Sequence, residues 1–310
     1  MTDKMATREA YGQVLVELGA ENPDLVVMDA DLSGSTKTKD FGKAYPERFF
    51  NMGIAEQDLM AVAAGLALSG KVVCASSFAM FAAGRAFEII RNSIGYTGAN
   101  VKICATHAGI TVGEDGASHQ TFEDIAIMRT IPGMTVLNPS DGPSAKILIR
   151  KAVAMDGPCY IRLGRSAVPV VYSEDADLEI GKGNVLREGT DVTLLATGIM
   201  VDAAMQAAEQ LQQEGVSASV VDIHTIKPLD EELILAEAQK IGRIVTCEEH
   251  SVIGGLGGAV AELLARKKPV PMAFVGQKDT FGESGKPAEL LEKYGMDPAA
   301  ICEAARSLLK

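Results

Sequence analysis

Short apolar runs that alternate with longer amphipathic segments are the feature that most constrains the fold of this chain. Six runs rich in β-branched residues predict strands, and they span 25–29, 49–52, 72–75, 101–106, 134–137 and 159–163. Helical periodicity between them predicts helices at about 7–19, 55–69, 79–94, 121–130 and 141–154. Strands that are apolar throughout need cover on both faces. The sequence therefore predicts an α/β fold with doubly wound, mostly parallel sheets and helices on both faces.

The same alternation resumes after an interruption at 167–183. The interruption combines a proline, an acidic stretch at 174–177 and two glycines, which is typical of a linker. Beyond it, strands are predicted at 192–197, 218–223 and 243–247, and helices at about 200–214 and 230–240. We therefore predict two α/β domains, at 1–172 and 186–310, joined by a linker at 173–185.

Composition and charge narrow the functional classes. Lys and Arg number 29 against 41 Asp and Glu, for a net charge of −12, and no basic cluster offers a surface for nucleic acid or an anionic membrane. No apolar run of about 18 residues could span a bilayer, and the first residues lack the apolar core of a signal peptide. We expect a cytoplasmic protein. The five cysteines lack Cys-x-x-Cys spacing, so we interpret them as small buried apolar residues.

Three side chains follow predicted strands at the sheet edge where α/β proteins bind ligands. Glu56 lies in the first turn of a helix, directly after a strand. Its carboxylate either stabilises that helix through the helix dipole or holds a proton on a ligand. Phe78 and Phe81 follow the next strand and share one helical face. They either pack in the core or stack on a planar ligand.

The segment 106–120 is the richest in chemical groups. It follows a buried strand, is rich in glycine, and contains His107 and His119 together with two carboxylates and a serine hydroxyl. A metal site would need a His-x-x-x-His pair or a second pair of ligands, and the segment has neither. These histidine, carboxylate and hydroxyl side chains are better suited to hydrogen bonds with a polyhydroxylated substrate.

Two further loops carry polar groups at the same predicted edge. Arg165 closes the sixth strand, where its guanidinium fits the oxygens of a phosphate. A surface ion pair explains this arginine as well. The loop 29–35 offers carboxylates and hydroxyls, and an ordinary Asx or Ser turn explains them equally well.

The glycine-rich run 254–258 resembles a dinucleotide-binding loop only superficially. Its spacing is not Gly-x-Gly-x-x-Gly, and Glu248 and Glu249 precede it. Two carboxylates would repel a pyrophosphate. We interpret the run as close packing of a helix against a strand.

Taken in order, these motifs resemble the C-terminal half of transketolase, a thiamine-diphosphate enzyme. Residues 53–57 (Gly-Ile-Ala-Glu-Gln) resemble the stretch whose glutamate bonds the aminopyrimidine of the cofactor. Residues 77–81 resemble the aromatic wall of that pocket. Residues 113–120 (Gly-Glu-Asp-Gly-Ala-Ser-His-Gln) are similar to the family's Gly-Glu-Asp-Gly-Pro-Thr-His-Gln run. The resemblance covers essentially the whole chain and implies a pyrimidine-binding domain followed by a transketolase C-terminal domain.

The resemblance also implies roles for individual residues. It implies that Glu56 activates the aminopyrimidine and that Phe78, Phe81 and Asp31 contact the cofactor. It implies catalytic roles for the two histidines of the 106–120 segment. The implied substrate ligands are Arg8, Ser35, His107, Asp115, His119 and Arg165. The implied reaction moves a two-carbon ketol unit from a ketose phosphate to an aldose phosphate, as in the pentose phosphate pathway.

Two departures from the family pattern shape this interpretation. The N-terminal half of the family, with its Gly-Asp-Gly…Asn motif for magnesium and diphosphate, has no counterpart, and no Gly-Asp-Gly triplet occurs. The resemblance therefore implies the smaller subunit of a split transketolase. It also implies that an N-terminal-half partner subunit holds the diphosphate and the Mg²⁺ or Ca²⁺, in a heterotetramer. In addition, Gly84 stands where some full-length members carry a tyrosine, which implies a more open pocket wall.

Three other functions stay open at this point. A 1-deoxyxylulose-5-phosphate synthase shares the Gly-Ile-Ala-Glu-Gln and Gly-Glu-Asp-Gly motifs but is usually one long chain. The beta subunits of 2-oxo acid dehydrogenases share the two-domain plan and a separate partner but normally lack the second motif. A non-catalytic scaffold module of the same fold would satisfy its acidic side chains internally.

Overall fold

The computed structural model describes residues 4–310. The strands are β1 (Lys4–Met5), β2 (Leu25–Asp29), β3 (Phe49–Asn51), β4 (Val72–Phe78), β5 (Val101–Thr106), β6 (Thr135–Leu137), β7 (Cys159–Arg162), β8 (Val168–Pro169), β9 (Asn184–Arg187), β10 (Val192–Ala196), β11 (Ala218–Asp222), β12 (Thr225–Lys227), β13 (Ile244–Ser251) and β14 (Met272–Gln277). The α-helices are α1 (Thr7–Glu21), α2 (Ser33–Thr36), α3 (Lys39–Ala44), α4 (Glu56–Leu68), α5 (Phe87–Ile89), α6 (Asp124–Arg129), α7 (Gly142–Ala154), α8 (Met200–Gln213), α9 (Glu231–Lys240), α10 (Leu256–Lys267), α11 (Pro287–Lys293) and α12 (Pro298–Leu309). Tighter 3₁₀ turns cover Pro46–Arg48 and Ile110–Asp115, and wider π turns cover Met80–Arg85 and Ile90–Gly95.

Two mixed, mostly parallel sheets organise the chain. The first has seven strands in the order β12-β6-β7-β5-β4-β2-β3, and all its neighbouring pairs are parallel except β12 with β6. The second has five strands in the order β14-β13-β10-β11-β9, and only β9 is antiparallel to its neighbour. Helices cover both sheets, which confirms the predicted α/β class.

The two sheets interlock near the predicted domain boundary. Strand β9 begins at Asn184, inside the predicted linker. Strand β12 belongs to the second half of the sequence but extends the first sheet by pairing with β6. Both are short strands at sheet edges, so they give too little hydrophobic periodicity to be recognised from sequence. The boundaries 1–172, 173–185 and 186–310 stay a prediction. Strand β12 lies in the second predicted domain but pairs with the sheet of the first.

The segment predicted as a single helix at 79–94 is irregular. Two π turns flank the three residues of α5, and Ala86 departs from helical geometry with φ −98° and ψ 10°. The apolar periodicity that predicted a helix could not reveal this irregularity, because the periodicity shows only which residues are buried. Wide turns of this kind often occur at functional sites. Here the irregular segment carries Phe81 and Arg85.

Side-chain caps stabilise the starts of helices α7 and α12. Asp141 and Ser144 form a reciprocal capping box at the start of α7, and the Asp297 carboxylate accepts from the backbone N–H of Ala300 at the start of α12. Such a cap stabilises a helix by about 1 kcal/mol. Helix α4 has no side-chain cap at Ala55. Its first turn is therefore formed without this support, at the position where Glu56 lies.

Three clusters of buried apolar side chains stabilise the fold. One lies between α1, α7 and the first sheet, and another lies between α8, α12 and the second sheet. The third is continuous from the first sheet to α9 and α10 of the second half, so apolar packing joins the two halves.

All five cysteines are buried and unpaired, which confirms their interpretation as small apolar residues. Among residues 4–310, no helix has the length and apolarity needed to cross a membrane.

The glycine-rich run packs tightly, as predicted. A Cβ atom on Gly257 would come within 2.7 Å of the Phe274 ring. The Glu248 carboxylate accepts from the backbone N–H groups of Leu256 (2.7 Å) and Gly257 (2.8 Å) at the start of α10. A carboxylate of the chain itself therefore occupies the end of the helix at which a phosphate would bind.

Candidate active site

The predicted site residues lie on loops that follow adjacent parallel strands. In the first sheet, β7, β5, β4, β2 and β3 are consecutive neighbours. Arg165 follows β7, His107 follows β5, Phe78 ends β4, and Glu56 follows β3. Since the carboxyl ends of parallel strands share one edge, the fold gathers these residues at one edge of the first sheet, and we call this edge the crevice.

Glu56 is buried and paired with an arginine. Its side chain is 2% exposed, and its Oε2 accepts from Arg85 Nη1 at 2.7 Å. The Arg85 guanidinium also lies over the Phe81 ring, 4.8 Å from its centroid, which is a favourable cation–π position. Arg85 therefore links the carboxylate to the aromatic wall. Sequence reasoning missed it, because its separation from Glu56 along the chain matches no motif spacing.

The two phenylalanines and two histidines form an aromatic cluster. The Phe78 and Phe81 rings are nearly parallel, with centroids 6.2 Å apart and planes 16° apart. Phe78 stacks on His107 at 3.8 Å, and His119 meets Phe81 edge-on at 5.3 Å. The structure thus brings together both segments that the sequence singled out for aromatic and hydrogen-bonding groups.

His107 connects this cluster to a cationic end of the crevice. It adopts φ 57°, which is uncommon for a residue with a side chain and often marks a functional site. Its Nε2 lies 3.2 Å from Arg8 Nη1, and its Nδ1 lies 2.9 Å from Thr106 Oγ1. Burial, followed by the charges of Arg8 and Arg165, lowers the pKa of His107 to about 3. A neutral imidazole can accept at one ring nitrogen and donate at the other.

The low pKa of His107 is testable by histidine NMR. The unfolded chain takes up this proton near pH 6.5 and the folded chain only near pH 3, so the stability contribution of the neutral ring falls as pH drops through that window. We expect the His107 ring nitrogens, assigned with a His107→Gln variant, to show no titration from about pH 8 to pH 5. A midpoint above about pH 6 would contradict the buried, cation-flanked environment.

A buried aspartate shapes the loop after β2. Asp29 Oδ2 accepts from Thr36 Oγ1 at 2.6 Å and from Thr38 Oγ1 at 2.9 Å. This loop carries Ser35, whose backbone oxygen, not its hydroxyl, accepts from Arg8 at 2.9 Å. Ser35 therefore helps to fix Arg8 in this structure.

Asp31 is exposed and bound to the turn before Glu56. Its Oδ1 accepts from Asn51 Nδ2 at 3.1 Å, and the Asn51 side-chain oxygen accepts from the backbone N–H of Gly53 at 3.0 Å. Asp31 has φ 62°, a conformation that aspartate tolerates better than most residues. Asn51 thus ties two loops of the site together.

Arg165 already has acidic partners. Its Nη1 donates to the backbone oxygen of Val112, lies 3.2 Å from Glu114 Oε2 and lies 3.9 Å from Asp115 Oδ2. The ion pair expected from sequence is therefore present, and the binding of a phosphate by Arg165 stays a prediction. Arg165 forms an ion pair, and it does so within the crevice, where its charge also acts on His107.

The arrangement can bind an anionic, polar molecule beside an aromatic wall. A continuous series of contacts runs from the Glu56 carboxylate through Arg85, the aromatic cluster and His107 to Arg8. One end offers a buried carboxylate, and the other offers cations. These groups suit proton handling at one end and anion binding at the other.

Comparison with family models decides the family. Residues 3–171 match the transketolase pyrimidine-binding domain, and residues 181–301 match the transketolase C-terminal domain. The chain belongs to the transketolase family. Together these two transketolase domains account for most of its length, in the predicted order.

Similar proteins of about the same length are also described as transketolase subunits or sections. A Methanocaldococcus jannaschii protein with the provisional description transketolase C-terminal section is 52% identical over 309 residues, which cover 98% of this chain and 96% of the relative. The 6-deoxy-6-sulfo-D-fructose transketolase subunit SqwH of a Clostridium species is 43% identical, with 97% and 94% covered. A solved structure described as a split-gene transketolase, inactive beta4 tetramer, is 58% identical and superposes with a TM-score of 0.93, with 98% of each chain covered.

Transketolases generally use thiamine diphosphate with a divalent metal, and the crevice fits one end of that cofactor. Within residues 4–310, no hydrogen bond reaches Glu56 Oε1, and the buried Ser77 hydroxyl also has no partner. A planar ring with a nitrogen and an amino group could use such atoms beside Phe78 and Phe81. The same residue range contains no group of three His, Cys, Asp or Glu side chains arranged to hold a metal ion. The observation that fits a pyrimidine is the unpaired polar group next to the two phenylalanine rings.

Proposed function

We propose that this chain is the C-terminal subunit of a split, thiamine-diphosphate-dependent transketolase that transfers a two-carbon ketol unit between sugar phosphates. The observation that carries the proposal is the continuous series of contacts that runs from the buried Glu56 carboxylate through Arg85, the aromatic cluster and His107 to the Arg8 guanidinium. The similarity to the split-gene transketolase supports the same assignment.

Residues of this chain would hold the pyrimidine end of the cofactor. The cofactor supplies the carbon nucleophile that breaks and re-forms the carbon–carbon bond. Glu56 would hold a proton at a ring nitrogen of the pyrimidine, and Arg85 fixes the orientation of its carboxylate. Phe78 and Phe81 would stack on the ring and exclude water, and Asp31 would contact the cofactor from the adjoining loop.

The cationic end of the crevice would bind the substrate. Arg8 and Arg165 would bind its terminal anion, with Ser35 at the same end. His107, Asp115 and His119 would hydrogen-bond its hydroxyl and carbonyl groups. A sulfonate would satisfy the same guanidinium groups as a phosphate, and one relative is named for a sulfonated ketose. The donor panel should therefore include phosphorylated and sulfonated ketoses.

The other half of the cofactor site would come from a partner. We propose that an N-terminal-half subunit holds the diphosphate and its Mg²⁺ or Ca²⁺, that the two chains form a heterotetramer, and that the complex works in the cytoplasm. The description of the similar structure as an inactive beta4 tetramer supports both a need for a partner and self-association without one. The function is tested by ketol transfer in a mixture of both subunits. A mixture that binds the cofactor but transfers no ketol unit from any donor would favour a different activity of the fold.

The substrate end makes a separate prediction. Arg165→Ala should raise the KM of the complex for phosphorylated ketoses roughly 10- to 100-fold, because a charge-assisted contact to the anion is lost. Affinity for the cofactor should change by less than about twofold. Arg150→Ala is the matched control, since Arg150 pairs with Glu17 and Glu21 near the end of α1 opposite to Arg8. If Arg165→Ala instead abolished cofactor binding and left the sugar kinetics intact, the two ends of the site would be reversed.

A further inference from the structure

The loop at 107–120 packs directly against the second half of the chain, at a surface that includes Glu249 and Ser284 and that we call the floor. Gly109 and Gly116 of this loop have positive φ values of 79° and 75°, and both contact the floor. A Cβ atom on Gly109 would come within 2.2 Å of Glu249 Cδ, and one on Gly116 within 2.4 Å of Ser284 Oγ. No side chain fits between the loop and the floor at these points.

Glu249 is the centre of this contact. It lies on β13, is 2% exposed, and its Oε1 accepts from the backbone N–H of Thr111 at 2.7 Å. Its Oε2 lies 3.8 Å from Arg162 Nη1. One carboxylate therefore binds the loop through one oxygen and a buried cation through the other.

Arg162 is itself fixed in place. Its Nε donates to Asp124 Oδ2 at 2.9 Å, and its Nη2 donates to the backbone oxygen of Glu249 at 2.8 Å. Asp124 also accepts from Tyr160 Oη at 2.8 Å. The other Asp124 oxygen, Oδ1, has no hydrogen-bond partner among residues 4–310 and lies 4.0 Å from His250 Nε2. Arg162 is therefore held by Asp124 Oδ2 and by the Glu249 backbone, and it lies beside the Glu249 carboxylate under the loop.

A second contact fixes the end of the loop. Gln120 Nε2 donates to the backbone oxygen of Glu283 at 2.9 Å and also lies within hydrogen-bonding distance of the Ile110 backbone oxygen, at 3.3 Å. The loop is thus anchored to the second half at Thr111 and at Gln120, on both sides of Asp115.

We propose that Glu249 is a positioning residue, which holds the 107–120 loop so that His107, Asp115 and His119 keep their places in the crevice. The second half of the chain thereby acts on the site without touching substrate or cofactor. The part of the inference that concerns substrate rests on the proposed function, whereas the anchoring of the loop does not. The two parts are therefore tested by different measurements.

Hydrogen exchange on the isolated chain tests the anchoring. Glu249→Ala should increase exchange of the peptide that covers 108–120 by about tenfold or more, and exchange of α4 should change by less than about twofold. Glu249→Gln keeps an acceptor for Thr111 and should restore most of the protection. Glu237→Ala is the matched control, because Glu237 is also buried in the second half but accepts from Thr193 and has no contact with the loop.

Kinetics of the reconstituted complex test the consequence for the site. Glu249→Ala should raise the KM for the ketose donor about tenfold, leave cofactor affinity within about twofold, and be rescued by Glu249→Gln. Unchanged loop protection in folded Glu249→Ala, or an equal loss of protection in α4, would overturn the proposal. If Glu249→Ala does not fold, Gly109→Ala tests the same contact from the loop side with the same criteria. A wild-type complex without transfer activity would refute the proposed function but not the anchoring.

Discussion

Replacing Glu56 by Gln is expected to lower ketol transfer by about 10²- to 10⁴-fold while the chain stays folded. The carboxylate is buried, has one oxygen bound to Arg85 and another without a hydrogen bond from residues 4–310, so it is placed to hold a proton on a ligand. Loss of one proton-handling group typically has an effect of this size. The measurement is the transfer rate of the reconstituted complex, with circular dichroism to verify folding.

Asp58→Asn provides the matched control for this prediction. Asp58 lies in the same first turn of α4 as Glu56 but is exposed. Both substitutions remove a negative charge near the positive end of the helix, which lowers stability by about 0.3–1 kcal/mol, and Glu56→Gln also removes the ion pair with Arg85. Only Glu56→Gln should abolish transfer. A Glu56→Gln complex within about threefold of the wild-type rate would show that the carboxylate serves the helix alone.

Sequence reasoning identified six of the seven strands of the first sheet from their apolar runs and missed only β12. The limits predicted at 25–29 and 101–106 agree with those of β2 and β5. The same logic failed for β13, which was expected to end at 247 and extends to Ser251. Its last residues include Glu248, Glu249 and His250, which resemble a loop in sequence. Glu249 is buried against Thr111 and Arg162, which are distant along the chain, and Glu248 is buried against the first turn of α10.

In the candidate site, too, some residues could be predicted from sequence and others could not. Glu56, the phenylalanines and the 106–120 segment could be selected because strand-end positions and unusual residue types are visible in sequence. Arg85 and Glu249 could not, since each acts through a contact with a residue far away along the chain. An arginine in an irregular helix and a glutamate in an acidic pair carry no local signal of that contact. Sequence patterns therefore indicate which residues meet a ligand more readily than which residues hold them in place.

The exposed surface beside the crevice supports the need for a second chain. Ile54, two residues before Glu56, is 78% exposed, and Phe50 is 43% exposed. Large exposed apolar side chains next to a polar site are consistent with a surface that a partner covers. Our proposal that the cofactor lies between this chain and a subunit that supplies the diphosphate site explains this exposure.

This chain by itself should therefore show no ketol transfer and no magnesium-dependent affinity for thiamine diphosphate by calorimetry. A diphosphate needs a cation and a set of backbone donors, and the net charge of −12 opposes unaided binding of a polyanion. Adding the N-terminal-half subunit should restore both binding and activity, and sedimentation should show the self-associated chain converting to a mixed complex. The partner alone, titrated in the same buffer, is the control for binding to its own half-site. Magnesium-dependent binding to this chain alone with a Kd of about 1 μM would refute the split-enzyme proposal, because an affinity of that strength, about 8 kcal/mol, requires a site for the diphosphate as well as for the ring.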